Sequence, residues 1–215
     1  MCNYATTSLT FCSRNVGMLK KLHKKIWNCY ALVPHKNLVR DLLNSHDYTT
    51  TEQETLTNRT DYISHCDKTI SDRGCVFFFS CELICAWHGN LQAIVSLLSK
   101  EYYEEIRLSF CSEEPGAEEY LIHDETGVFY LDRFKVDWCS QNNYEIKYFS
   151  TFFQVIDYLH AVFPKANLSY YDSLEEVERQ VALAYQEQDE NYFLYIHRFS
   201  DNDTVLTPNK EEEAA

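Results

Sequence analysis

The sequence predicts an α+β fold, a largely antiparallel sheet with helices packed on one face. Three observations carry that prediction. Stretches of two-residue apolar alternation sit next to one another as well as next to helical segments. The helical segments each carry a single apolar stripe. Hydrophobic residues make up 45% of the 215-residue chain, enough for a substantial core.

Thr6 to Ser13 has strand composition, with Leu9 and Phe11 on one face. From Asn15 onward Met18, Leu19, Leu22 and Ile26 recur at helical spacing, and Lys20, Lys21, Lys24 and Lys25 cover the opposite side. With a short helix opened by Pro34, residues 1–44 read as an N-terminal β-α unit joining or flanking the sheet. Residues 45–73 read as a polar loop or insert, because Ser45 to Thr60 shows no apolar periodicity. Residues 74–137 form the expected core. There, Gly74 heads the apolar strand Cys75 to Ile84, and Leu91, Ile94, Val95 and Leu98 make a helical stripe behind an Asn90 cap. Glu105 to Cys111 alternates, Glu118 to Asp124 follows a Pro-Gly turn, and a second turn at Asp124 to Gly127 leads into a strand through Asp137. Residues 138–200 supply C-terminal helices that cover the core and a last strand at Asn191 to Phe199. Thr151 with Gln154 and Ser173 with Glu176 have capping-box spacing at the starts of those helices. Residues 201–215 form a charged tail.

No segment approaches the roughly 18 uninterrupted apolar residues of a spanning helix, and the N-terminus lacks a signal-like apolar region, so a cytoplasmic location without membrane contact is expected. Nine cysteines, an odd number without regular spacing, read as buried or free thiols. The formal charge is −14; residues 1–40 contribute +7 to it, which leaves −21 on residues 41–215. So acidic a body repels phosphates, and the chain has no RNP-type motif, which argues against direct nucleic-acid binding and for a protein partner. The candidate binding patch is Glu175, Glu176, Glu178, Glu187, Asp189 and Glu190, on and after a helix whose other side carries Leu174, Val177 and Val181.

Glu113, Glu114, Glu118 and Glu119 raise the question of paired catalytic carboxylates. Neighbouring strand residues face opposite ways, so Glu118 and Glu119 do not share a site, and Glu113 and Glu114 flank a turn where acids are normally solvated. Glu114-Pro115-Gly116 reads as a hairpin turn in which Pro fixes φ and Gly permits a positive φ. Cys81, Cys85 and His88 form a C-x3-C-x2-H run of zinc-type ligands, the alternative chemistry of this region. On an extended strand the two cysteines lie about 13 Å apart, too far for one ion. Five glycines without a G-x-G-x-x-G or Walker pattern leave no phosphate loop, and no cofactor is expected.

The opening CNYATTSLTF, the run FFFSCELICAWHGNLQAIVSLLSKEYYEEIRLSFCSEEPG and the following GVFY resemble the YubB/Api92-like group, ferredoxin-like domain proteins of plasmids, conjugative elements and phages. The resemblance covers roughly residues 1–30 and 74–137, with Trp87, Tyr102, Glu114, Pro115, Gly116 and Gly127 as structural markers. It implies a ferredoxin-like βαββ core at 74–137 and a mobile-element origin; taken with the −21 on residues 41–215, the expected function is that of an accessory protein of a plasmid or phage that binds a host macromolecule, through its acidic surface. The resemblance implies no catalytic residues.

Overall fold

A computed structural model describes residues 4–32, 61–86, 105–124, 126–140, 143–185 and 191–201, together with positions 91, 94, 95, 98 and 102. The chain divides into two compact units, Met1–Tyr130 with Asp201–Ala215, and Leu131–Ser200. Each is a mixture of helices and antiparallel strands, so the α+β class holds for both.

In the first unit β1 (Tyr4–Ser13) is the central strand. Ala5, Leu9 and Phe11 point to one side of it and are buried, as two-residue alternation requires. Helix α1 (Val16–Leu32) starts at Asn15, whose Oδ1 accepts the Gly17 and Met18 amides at 3.1 and 3.2 Å. Its Leu19, Leu22 and Ile26 are buried in the same core. The chain continues through β2 (Asp61–Cys66), β3 (Ser71–Arg73) and β4 (Val76–Ala86) to helical positions 91, 94, 95, 98 and 102. It ends with β5 (Arg107–Glu114), a 3-10 turn over Pro115–Ala117 and β6 (Glu119–His123). The sheet order is β10-β6-β5-β1-β4-β2, with β3 against β4 and β10 being Ser200–Asp201; β1 runs antiparallel to both β4 and β5.

One side of this sheet holds the core: Phe79, Leu83, Leu108 and Phe110 meet Leu91, Ile94, Leu98 and Tyr102 from the helical positions. Each fully buried large aliphatic or aromatic side chain contributes about 1.5–3 kcal/mol before entropy is counted. A hydroxyl pair is embedded among them, Thr7 Oγ1 and Ser112 Oγ at 2.7 Å, facing each other across the β1–β5 register. Each satisfies the other where no water enters.

The second unit has β7 (Phe134–Ser140), β8 (Asn143–Phe149) and β9 (Phe193–Arg198) in the order β8-β7-β9, all antiparallel. Helices α2 (Phe152–Val162) and α3 (Leu174–Tyr185) cover one face. Val155, Ile156, Leu159, Val177 and Val181 pack there on Val136, Trp138, Leu194 and Ile196. The Thr151 capping box forms in full. At Ser173 only half forms: Oγ accepts the Glu176 amide at 3.2 Å, while the Glu176 carboxylate turns to Arg179 and Gln180.

Three expectations change. Residues 61–66 and 71–73 are strands and not part of a loop spanning 45–73. The register shift between Ile63 and His65 breaks the alternation of β2, so Ile63 and Cys66 both turn inward and no period of two is visible. The chain divides after Tyr130, so 74–137 is not one core. Residues 126–133 are irregular, and β7 pairs with β8 and β9. The C-terminal helices therefore cover their own sheet. The segment opened by Pro34, Ser45 to Thr60 and the tail after Asp201 lie outside the described residues.

Candidate functional site

Two surfaces stand out, one in each unit. The first lies on the side of the β1 sheet opposite its helices. Thr10, Cys12 and Ser109 point that way and are buried, because residues 126–130 fold over them. The fold-over has one anchor. Both Asp124 oxygens accept hydrogen bonds: Oδ1 from Ser109 Oγ at 3.1 Å and from the amide and hydroxyl of Thr126 at 3.1 and 2.6 Å. Oδ2 takes the amides of Val128, Phe129 and Tyr130 at 3.0, 2.7 and 2.8 Å. Gly127 sits at φ +61° in this turn, a conformation that favours glycine. Phe129 then rests on Phe78 at 5.1 Å between ring centres, and Tyr130 Oη reaches Thr10 Oγ1 at 3.0 Å.

Beside that loop, at the C-terminal end of β1, a cleft of about 410 Å³ is lined by Cys12, Arg14, Asn15, Val76, Glu105, Arg107 and Thr126, with Ser13. Arg14 and Arg107 are exposed, and neither has an acidic partner among the described residues. The single lining carboxylate, Glu105, receives Asn15 Nδ2 at 2.9 Å. Sequence reading missed this site because its two arginines lie far apart in the chain, Arg14 in the bend that follows β1 and Arg107 at the start of β5. The available signal was Arg107, the one base on the polar side of the Glu105–Cys111 alternation.

The second surface is the outer face of the sheet β8-β7-β9. Registers place Tyr144, Cys139 and Phe193 in one row, Ile146, Asp137 and Tyr195 in the next, and Tyr148, Lys135 and His197 in the third. Tyr144, Tyr148 and Tyr195 are 59%, 45% and 54% exposed. Along β9, Phe193 stacks on Tyr195 at 5.6 Å and Tyr195 on His197 at 6.1 Å. Strand β8 itself was not expected. Its Tyr144, Ile146 and Tyr148 alternate, but the face they make is turned to solvent.

The acidic helix divides its residues among separate tasks. Glu175 lies at the N-terminus of α3, where its own amide and then Ser173 hold its carboxyl below the ordinary value. Arg179 first, then Gln180, lower Glu176 to about 2. Glu178 is half-buried and its Oε1 accepts the Ile196 amide at 2.6 Å, closing a backbone donor of edge strand β9. These three do not act as one solvated patch, and Glu187, Asp189 and Glu190 lie outside the described residues.

Glu114 is fully buried, contrary to the expectation of a solvated turn acid. Strand β5 runs through it, and alternation from Phe110 and Ser112 turns it inward. Pro115 opens a 3-10 turn, and the left-handed residue is Glu118 at φ 55°, not Gly116. Tyr102 is a core residue whose carbonyl accepts the Glu105 amide at 2.8 Å. Cys81 and Cys85 both face the core of the first unit. Burial, then Cys66, Asp67 and Glu82, raise the Cys81 thiol well above its ordinary value, and burial followed by Asp67 pushes Cys66 to about 12. Such surroundings favour thiols over the thiolates that zinc takes. Trp87 and His88 lie outside the described residues.

No protein-family model, curated protein or solved structure matches this chain.

Proposed function

We propose that this chain is a binding protein, an accessory factor in the plasmid or phage setting that its resemblance implies, and that it docks a host protein through the outer face of the sheet β8-β7-β9. The observation that supports this reading is the triplet of exposed tyrosines, Tyr144, Tyr148 and Tyr195, on a sheet face that also carries Ile146 and Phe193. Tyrosine brings a large apolar surface with few rotatable bonds and a polar tip, and it is enriched where binding energy concentrates at protein interfaces. An aromatic platform also suits stacked bases. The −14 formal charge of the chain disfavours that partner and favours a protein with a basic surface.

The reading includes a ferredoxin-like first unit. Its support is the succession β1, α1, β2, β4, the helical positions and β5, combined with the order β5-β1-β4-β2, which is the split β-α-β arrangement. That arrangement spreads over residues 4–114 and not over 74–137.

The test is affinity capture from host cytoplasm with the whole chain, the double variant Tyr144→Ser/Tyr195→Ser, and the double reversal Glu175→Lys/Glu176→Lys, which leaves the Glu178 contact with β9 in place. The tyrosine variant should lose the partner that the wild type retains, and purified partner should then bind it at least tenfold more weakly. If the tyrosine variant keeps the partner and the charge reversal loses it, the docking surface is the acidic helix.

A further inference from the structure

We propose that the cleft at the end of β1 binds a phosphorylated small molecule, with its phosphate held between Arg14 and Arg107. This site is independent of the tyrosine face and lies wholly within the first unit.

The local charge is the first argument. A chain with 33 acids and 19 Lys and Arg residues has carboxylates to spare, yet these two guanidiniums line one cleft without an ion-pair partner among the described residues. Two like charges on one wall repel, and an anion between them removes the repulsion. A guanidinium fork matches phosphate oxygens in a bidentate manner, which makes two arginines a better phosphate clamp than two point charges. Helix α1 starts beside them and has no acid in its first turn, so the positive end of its dipole adds to the same field. Asn15 occupies the Gly17 and Met18 amides, so the helix supplies field and the arginines supply the donors.

The walls are held before any ligand arrives. Ser13 Oγ donates to the Glu105 carbonyl at 2.8 Å and accepts the Asn15 amide at 2.9 Å. Asp124 fixes Thr126 through two hydrogen bonds. These positions are set before binding, and the ordering that remains is that of the two exposed arginine side chains.

Size and lining specify the rest of the ligand. About 410 Å³ falls within the roughly 300–1,000 Å³ range of small-molecule sites, far more than a phosphate ion fills. Val76, which is half-buried, offers apolar wall to an organic portion. Glu105 Oε2 is engaged by Asn15, and Oε1 has no hydrogen bond among the described residues, so it is available to a hydroxyl or amine of the ligand. A sugar phosphate and a nucleoside monophosphate share that chemistry.

Calorimetric titration of the full chain tests the proposal, with inorganic phosphate, glucose 6-phosphate, adenosine monophosphate and unphosphorylated glucose as probes. At least one organic phosphate should bind more tightly than inorganic phosphate, and glucose should not bind. Arg14→Gln and Arg107→Gln should each weaken that binding at least tenfold, whereas Lys24→Gln, on the exposed side of α1, should change it by less than twofold. Both arginines are exposed, so circular dichroism and the unfolding midpoint should stay at wild-type values and report intact variants. Absence of binding by every phosphorylated probe at millimolar concentration overturns the site. So does equal weakening by Lys24→Gln, which would reduce it to general electrostatic attraction.

Discussion

Asp124 Oδ2 accepts the backbone amide of Tyr130 at 2.8 Å, the last of six hydrogen bonds received by that one carboxylate. Through it an irregular segment becomes a fixed cover over Thr10, Cys12 and Ser109 and places Thr126 on the wall of the arginine-lined cleft. A carboxylate suits this task because it accepts from several donors at once.

Asp124→Asn should therefore lower stability by about 2 kcal/mol, because an amide NH2 would face donors in place of an acceptor oxygen. The reading is a lower urea midpoint at an unchanged slope. Burial raises the Asp124 carboxyl, but hydrogen bonds from Thr126, the Tyr130 and Phe129 amides and Ser109 outweigh it and hold the pKa below the ordinary value. With the folded pKa depressed, this contribution is present above the unfolded-chain carboxyl range and is lost as pH falls through the folded pKa. Wild type should lose stability toward acid more steeply than Asp124→Asn. Parallel acid profiles would refute the role given to the charge.

Glu118 adopts φ 55° at the end of the turn after Pro115, a conformation that costs a side chain about 1 kcal/mol and glycine almost nothing. Glu118→Gly should raise stability by about 0.5–1 kcal/mol, and Gly116→Ala should be nearly neutral, since Gly116 is not among the positive-φ residues. Chemical denaturation of the two variants compares the positions directly. Destabilisation by Glu118→Gly would count against this geometry.

Tyr158 links two side chains in the second unit: its hydroxyl accepts Trp138 Nε1 at 2.7 Å and donates to Glu145 Oε2 at 2.6 Å. Tyr158→Phe leaves the largely buried indole N–H without an acceptor and should cost about 1–2 kcal/mol. Burial, and then the Glu145 carboxylate, push the Tyr158 phenol up to about 12. Because the folded pKa is raised, its stabilising contribution is complete below the unfolded tyrosine range and is lost as pH climbs toward about 12. Thermal melts between neutral and alkaline pH should show a shallower decline for Tyr158→Phe than for wild type.

The sequence by itself determined the elements whose side-chain direction follows from a local period. Leu19, Leu22 and Ile26 lie on one side of α1, and Leu9 and Phe11 on one side of β1, whatever else the chain does, because 3.6 or 2 residues per repeat is a property of the backbone. Thr151 likewise announced the start of α2, since a capping box is closed within four residues. Wherever a residue's role depends on a distant partner, only the tertiary structure decided it. β2 was hidden by its bulge, and nothing within β7 says that it pairs with β8 and β9. Glu178 looked like one acid of a solvated helix until the amide of Ile196 came within 2.6 Å of it. Arg14 and Arg107 read as ordinary surface bases in sequence, and they line one cleft because β1 pairs with β5 in the register that sets Cys12 opposite Arg107. Pairing partners and registers are chosen by the free energy of the whole packed sheet, which no short window of sequence contains.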